Sequence, residues 1–271
     1  MTTRAPYLIP PLARWLGTQR IDLVECGSTN DEAGRLARAG ARHGTIVIAQ
    51  SQRAGRGRDG RPWQSPPGMG LYMSAVLRPS MPLADVPPMT LAIGIGICDA
   101  VRATGANATL KWPNDLLVDG KKLAGVLVEA QSQGPKLEAV VIGIGINIVG
   151  PVPAQVAETA IALEQAADSQ IDREAFIAAV LAHVENWVDR YVAMGLGEII
   201  PAWTDRMALG IAARATVDGN SLVGVVWGLD DDGALLLRDG EGTIHRVRTG
   251  DVEVVSSLSP PASPEPHQPS C

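Results

Sequence analysis

The chain has 271 residues, 46% hydrophobic and 19% charged, which is the make-up of a folded globular protein and not of a disordered one. Its net charge of −6 argues against wholesale nucleic-acid binding, which shows as a strongly basic domain. The three cysteines, Cys26, Cys98 and Cys271, form no C-x-x-C pair or Cys/His cluster. Neither a disulfide framework nor a zinc site is expected, and a reducing cytoplasm fits best.

Residues 1–17 carry two arginines and several prolines but no long apolar core, so they do not read as a signal peptide. No window approaches the roughly 18 uninterrupted apolar residues of a spanning helix, and no membrane partner is expected. Residues 21–25 read as a strand. Thr29 and Glu32 match a capping box, predicting a helix that runs to Arg38 and stops at Gly40. Strands follow at 45–49 and 71–77, then a buried helix at 89–101. Short β-branched runs recur at 116–118, 123–128 and 139–148. The clearest helix spans 172–194, with Phe176, Val180, Val184, Trp187 and Tyr191 near helical spacing. The texture changes near Gly210: strand-like runs alternate with turn signals at 218–220, 230–233 and 239–242, predicting about five strands in a small barrel or sandwich. Residues 256–271 are rich in Pro and Ser and read as a disordered tail. The expected organisation is a unit at 1–209, a small β-unit at 210–255 and the tail.

Residues 53–61 pack four arginines and three glycines against one acid, Asp59, in an acidic protein. Glycine lets backbone approach a ligand and Arg forks match carboxylate and phosphate oxygens, so an anion is expected there. Gly55, Gly57 and Gly60 also spell the dinucleotide fingerprint G-x-G-x-x-G. The context fails, because Pro62, Pro66 and Pro67 forbid the helix that must open directly after it. A second concentration, Lys111 to Gly125, reads as a strand end, a Pro-Asn-Asp turn and a hairpin turned at Asp119-Gly120. Lys111, Asn114, Asp115 and Lys122 would converge at its two ends, or the lysines are simply solvated.

Ser28-Thr29-Asn30, the Gly55–Arg61 loop with Trp63, the Lys111–Asp115 run, Lys122-Leu123-Ala124-Gly125 and Gly143-Ile144-Gly145-Ile146-Asn147 stand in the order seen in biotin–protein ligases, and over roughly 21–147 the chain resembles that family. The resemblance implies an α+β fold: a mixed β-sheet with packed helices (class II synthetase-like), followed by a small SH3-like β-barrel. It implies two steps: biotin's carboxylate attacks the α-phosphorus of ATP to give biotinyl-5′-adenylate and pyrophosphate, and a lysine of a biotin carboxyl carrier protein then takes the biotin and releases AMP. It also implies Ser28, Thr29, Asn30 and Gln52 about the ureido ring, and Arg56, Gly57, Arg58, Lys122 and Gly125 about the rest of biotin. Arg56, Arg58, Arg61, Lys111, Asn114, Asp115 and Asn147 fall on the nucleotide side, with Arg58, Lys122 and Asp115 catalytic. Mg²⁺ is expected as helper, with no dedicated metal ligands in the chain.

Plainer roles stand beside these. Thr29 reads equally as a helix cap, Gly143 and Gly145 as packing glycines, Trp63 and Trp112 as core, and Asn147 as the end of a strand. Asp115 is the candidate acceptor of the acceptor lysine's proton, or an orienter of ATP or metal. Asp59 stands where related enzymes often place Arg, and residues 150–170 offer no aromatic to stack on adenine. Only 27 residues precede Ser28, too few for a winged-helix DNA-binding domain, so no DNA partner is expected; a homodimer remains open. The competing readings are a lipoate or octanoyl ligase of the same fold, and a non-enzymatic anion- or nucleic-acid-binding module. Against the latter, residues 211–255 hold four arginines and eight carboxylates.

Overall fold

The central strand β7 (Lys136–Asn147) shows how this sequence makes a sheet with two unlike faces. Ile142, Ile144 and Ile146 alternate with Gly143, Gly145 and Asn147, so one face is branched and apolar while the other is nearly bare backbone. The computed structural model describes residues 12–217, 220–250 and 252–255. The chain forms two compact units, Met1–Met207 and Ala208–Cys271.

The first unit holds a seven-stranded sheet in the order β1-β2-β3-β7-β6-β5-β4. Its other strands are β1 (Gln19–Cys26), β2 (Thr45–Gln52), β3 (Gly70–Leu77), β4 (Ala108–Lys111), β5 (Asp115–Val118) and β6 (Lys121–Gln133). β1 and β2 are parallel, joined through α1 (Thr29–Arg38), and every other pair is antiparallel. On one face Ala33 and Ala37 of α1 pack with Val47, Val76, Ala139 and Val141. The opposite face carries Leu110, Leu116, Ala124 and Ile146 and meets α2 (Met89–Arg102), whose Gly94 lies against Leu110 and Trp203. α3 (Arg173–Met194) packs on α2 so closely that a Cβ on Gly96 would stand 2.7 Å from Val184 Cα.

Three features depart from the sequence reading. The stretch Leu83–Arg102 is long and apolar enough to cross a membrane, but 67% of its apolar window is buried inside the protein, as a core helix would be. The capping box does not form: Ser28 is the N-cap, no side chain caps the helix, and the Thr29 hydroxyl turns to the sheet. α4 (Ile199–Thr204) was not legible, being six residues with a proline inside, and β4 only by its last residue. The long helix does start as read, with Asp172 accepting from the Ala175 N–H at 3.0 Å.

The second unit is one antiparallel five-stranded sheet, ordered β11-β10-β9-β8-β12, from β8 (Ala212–Val217), β9 (Asn220–Leu229), β10 (Leu235–Arg238), β11 (Ile244–Val247) and β12 (Val252–Val254). Turns at Asp230–Gly233 and Asp239–Gly242 fall as expected. The expected Asp218-Gly219 turn and the 256–271 tail lie outside the described residues.

Candidate active site

Register places the predicted residues in rows on the bare face of the sheet. Tyr72, Gly145, Gly125, Asp115 and Lys111 face one another across β3, β7, β6, β5 and β4, and Ser74, Gly143 and Leu127 form the adjacent row. The glycines are required by close approach. A Cβ on Gly143 would lie 2.3 Å from Asn30 Oδ1, and one on Gly145 2.6 Å from the Trp63 ring. They form a floor on which α1 and the Arg/Gly loop set their side chains, so the packing reading of both glycines is also what opens the site.

At one end stands a neutral hydrogen-bonded wall. Gln52 Oε1 accepts from the Thr29 N–H at 2.8 Å and the Thr29 hydroxyl at 3.1 Å, and Gln52 Nε2 donates to Ser65 Oγ at 2.8 Å. The Ser74 hydroxyl is 2.8 Å from that of Thr29 and donates to Asn30 Oδ1 at 2.5 Å; Asn30 Nδ2 donates to Glu129 Oε2 at 2.7 Å. Ser28, Thr29, Asn30, Ser65 and Ser74 are buried. The wall is built of hydroxyls and amides, groups that match a neutral molecule with both donors and acceptors.

At the other end stand charges. Asp115, with a side chain only 12% exposed, has Lys122 Nζ 2.6 Å from one oxygen and Lys111 Nζ 3.1 Å from the other. Both oxygens of this carboxylate are thus occupied by ammonium groups. Lys122 also lies 5.4 Å from the centroid of the Trp63 ring. Asp115 stands three strands from Ser74, about 14 Å at the usual strand spacing.

The Arg/Gly loop spans these ends. Its base is tied to the end of β1 by Arg53 N–H to Cys26 O at 3.0 Å and Ala54 N–H to Gly27 O at 2.8 Å. Its two limbs are joined by Gly57 N–H to Arg61 O at 2.7 Å and Trp63 N–H to Gly55 O at 2.8 Å. The turn passes through Asp59 at φ +54° and Gly60 at φ +71°, and Asp is among the few non-glycine residues that tolerate this region. Arg56 is bonded to Asp31; Arg58 is half-buried and makes no ion pair among the described residues; Arg61 is exposed. The Trp63 indole N–H is buried with no acceptor among the described residues.

Asn114 and Asn147 serve the backbone here. Asn114 Nδ2 donates to Val126 O at 2.7 Å, and Asn147 Nδ2 lies 3.3 Å from Ile161 O and 3.5 Å from Lys122 O. Trp112 is buried core. Sequence reasoning missed Asp31, Ser65, Ser74 and Glu129. The available signal for Ser74 was a single serine in the mostly large-residue run of β3, and for Glu129 a carboxylate on the glycine-bearing side of β6. Among the described residues no group of three or more His, Cys, Asp or Glu is placed to hold a metal ion.

Residues 28–147 match the biotin/lipoate A/B protein ligase family, and residues 208–255 match the biotin protein ligase C-terminal domain. The bifunctional ligase/repressor BirA of Bacillus subtilis is 38% identical over 233 residues, covering 84% of this chain and 71% of that protein. The biotin–[acetyl-CoA-carboxylase] ligase of Paracoccus denitrificans is 33% identical over 231 residues, covering 81% of this chain and 94% of its own length. The solved biotin protein ligase from Aquifex aeolicus, in complex with biotin and ATP, superposes with a TM-score of 0.76 at 27% identity, over 88% of this chain and 100% of that one. The chain belongs to the biotin/lipoate A/B protein ligase family. The second matched domain carries it to the biotin side of that family, so its activity is biotin protein ligation.

Proposed function

We propose that the glycine-floored face performs both half-reactions, with the neutral wall holding the biotin ring and the charged end receiving Mg·ATP. The observation that carries this is the division of one face: hydroxyls and amides from Thr29, Asn30, Gln52 and Ser74 at one end, Lys111 and Lys122 about Asp115 at the other. A ureido ring offers N–H donors and a carbonyl acceptor without charge, which suits the first end. Joining a carboxylate to a triphosphate brings like charges together, and fixed cations at the second end offset that repulsion as it peaks.

In the first step a biotin carboxylate oxygen bonds to the α-phosphorus and the bond to the bridging β-phosphate oxygen breaks, releasing pyrophosphate. Lys122 and Arg58 neutralise the approaching anions, and Asp115 holds Lys111 and Lys122 in place. Mg²⁺ enters as part of the nucleotide, with phosphates and water as its main ligands, since the ion needs only one or two protein carboxylates. In the second step the neutral amine of an acceptor lysine attacks the anhydride carbonyl and AMP leaves. Deprotonating an ordinary lysine at pH 7 costs about 4.6 kcal/mol. Both Asp115 oxygens are occupied by lysines, so solvent and the departing phosphate take that proton, and alignment of the acceptor supplies the rest of the acceleration. The acceptor is a biotin carboxyl carrier domain of a carboxylase.

Pyrophosphate exchange into ATP tests this reading against the lipoate alternative. Exchange that depends on biotin and is indifferent to lipoate is expected; exchange driven by lipoate alone would contradict it.

A further inference from the structure

Arg56 differs from Arg58 in already being engaged by a carboxylate. Its Nη1 and Nη2 donate to Asp31 Oδ2 and Oδ1, each at 2.7 Å, in the two-bond fork that Arg and carboxylate form best. Behind Nη2, Glu129 Oε1 stands at 4.0 Å, while the other oxygen of Glu129 holds Asn30. Asp31 lies in the first turn of α1, directly after Thr29 and Asn30 of the neutral wall. Arg56 thus ties the loop to the helix and the strand that carry the ring-binding residues. An anion approaching Arg56 would meet two carboxylates and have to displace a bidentate pair. Arg58, two residues on, has no acidic partner among the described residues and meets no such competition.

We propose that Asp31 is a positioning residue: it fixes Arg56, with Glu129 behind it, as the post on which the Arg/Gly loop stays closed over the activated acid, and Arg58 is the arm that reaches the anion. This rests on the adenylate-forming reading above. Asp31 is 58% exposed at its side chain, so replacing it leaves the core intact.

The test is the rate at which full-length enzyme, loaded with labelled biotin and Mg·ATP without acceptor, loses its adenylate during a chase with unlabelled biotin and ATP. Asp31→Ala is expected to raise that rate roughly threefold, the scale of an exposed but bidentate pair, and Asp31→Glu to bring it back toward the original. Because Asp31 acts through Arg56, the double variant Asp31→Ala/Arg56→Ala is expected to release no faster than Arg56→Ala alone. An unchanged rate in Asp31→Ala, or a double variant showing the product of both single effects, would overturn the proposal while leaving the ligase reading intact. Failure of the unmodified enzyme to form any adenylate would overturn both.

Discussion

Arg58→Ala is expected to release the adenylate about tenfold faster while leaving the fold intact, since a charge-assisted hydrogen bond contributes about 1.5–3 kcal/mol. Intermediate retention equal to that of the unmodified enzyme would remove Arg58 from the mechanism. Lys122→Ala acts earlier. Removing a cation from the point where negative charge gathers is expected to slow adenylate formation by about 10²-fold, measured in a single turnover without acceptor. A slowed transfer step with normal adenylate formation would assign Lys122 elsewhere. Residue identity was the most legible level here: the arginines, Lys111, Asp115 and Lys122 were all marked by charge placed beside glycine or turn residues. Thr29 was not, because a hydroxyl beginning a helix looks the same whether it caps the helix or joins a network; the bond to Gln52 decides it.

At the scale of elements, alternation and turn chemistry carried most of the fold. The long helix, six of the seven strands in the first sheet and the turns at 230–233 and 239–242 follow from period and punctuation. β4 and α4 did not, being four and six residues long and held by partners far along the chain, such as Gly94 against Trp203. The neutral wall was only half legible for the same reason. Ser74 joins it, and Glu129 stands behind Asn30, through the β3-β7-β6 register, and register is set by pairing that no local pattern reveals. The contact of α2 with α3 gives a direct test at this scale. Gly96→Ala would put a methyl 2.7 Å from the Val184 backbone, so the helices must separate. A loss of about 1–3 kcal/mol in chemical denaturation is expected; a neutral or stabilising result would mean that this interface is looser than described.

Across the first unit as a whole, the buried acid Glu185 is a clamp: it accepts the N–H groups of Arg14, Trp15 and Leu16 at 2.7–2.9 Å. Burial pushes its carboxyl up, but those bonds and the Arg14 side chain more than offset this and hold it below the usual range. A lowered carboxyl stabilises the fold above its ordinary value near 4.5 and loses that contribution as pH falls through the depressed value. Burial lowers His43 and His183 below their ordinary 6.5, so both fold neutral and the unfolded chain takes up protons first as pH drops past that value. Both effects share a sign. Denaturation midpoints are expected to fall from pH 7.5 to 5.5 and again toward pH 4, and Glu185→Gln should flatten the second decline; a midpoint that rises on acidification would contradict this account.

The division of one sheet face into a neutral wall and a cationic end is tested most directly by mass spectrometry of the purified protein after incubation with biotin and Mg·ATP, without acceptor. A bound species of biotin joined to AMP, forming in the unmodified enzyme and greatly slowed in Lys122→Ala, is predicted. Its absence from the unmodified protein, or its undiminished formation without Lys122, would contradict the account.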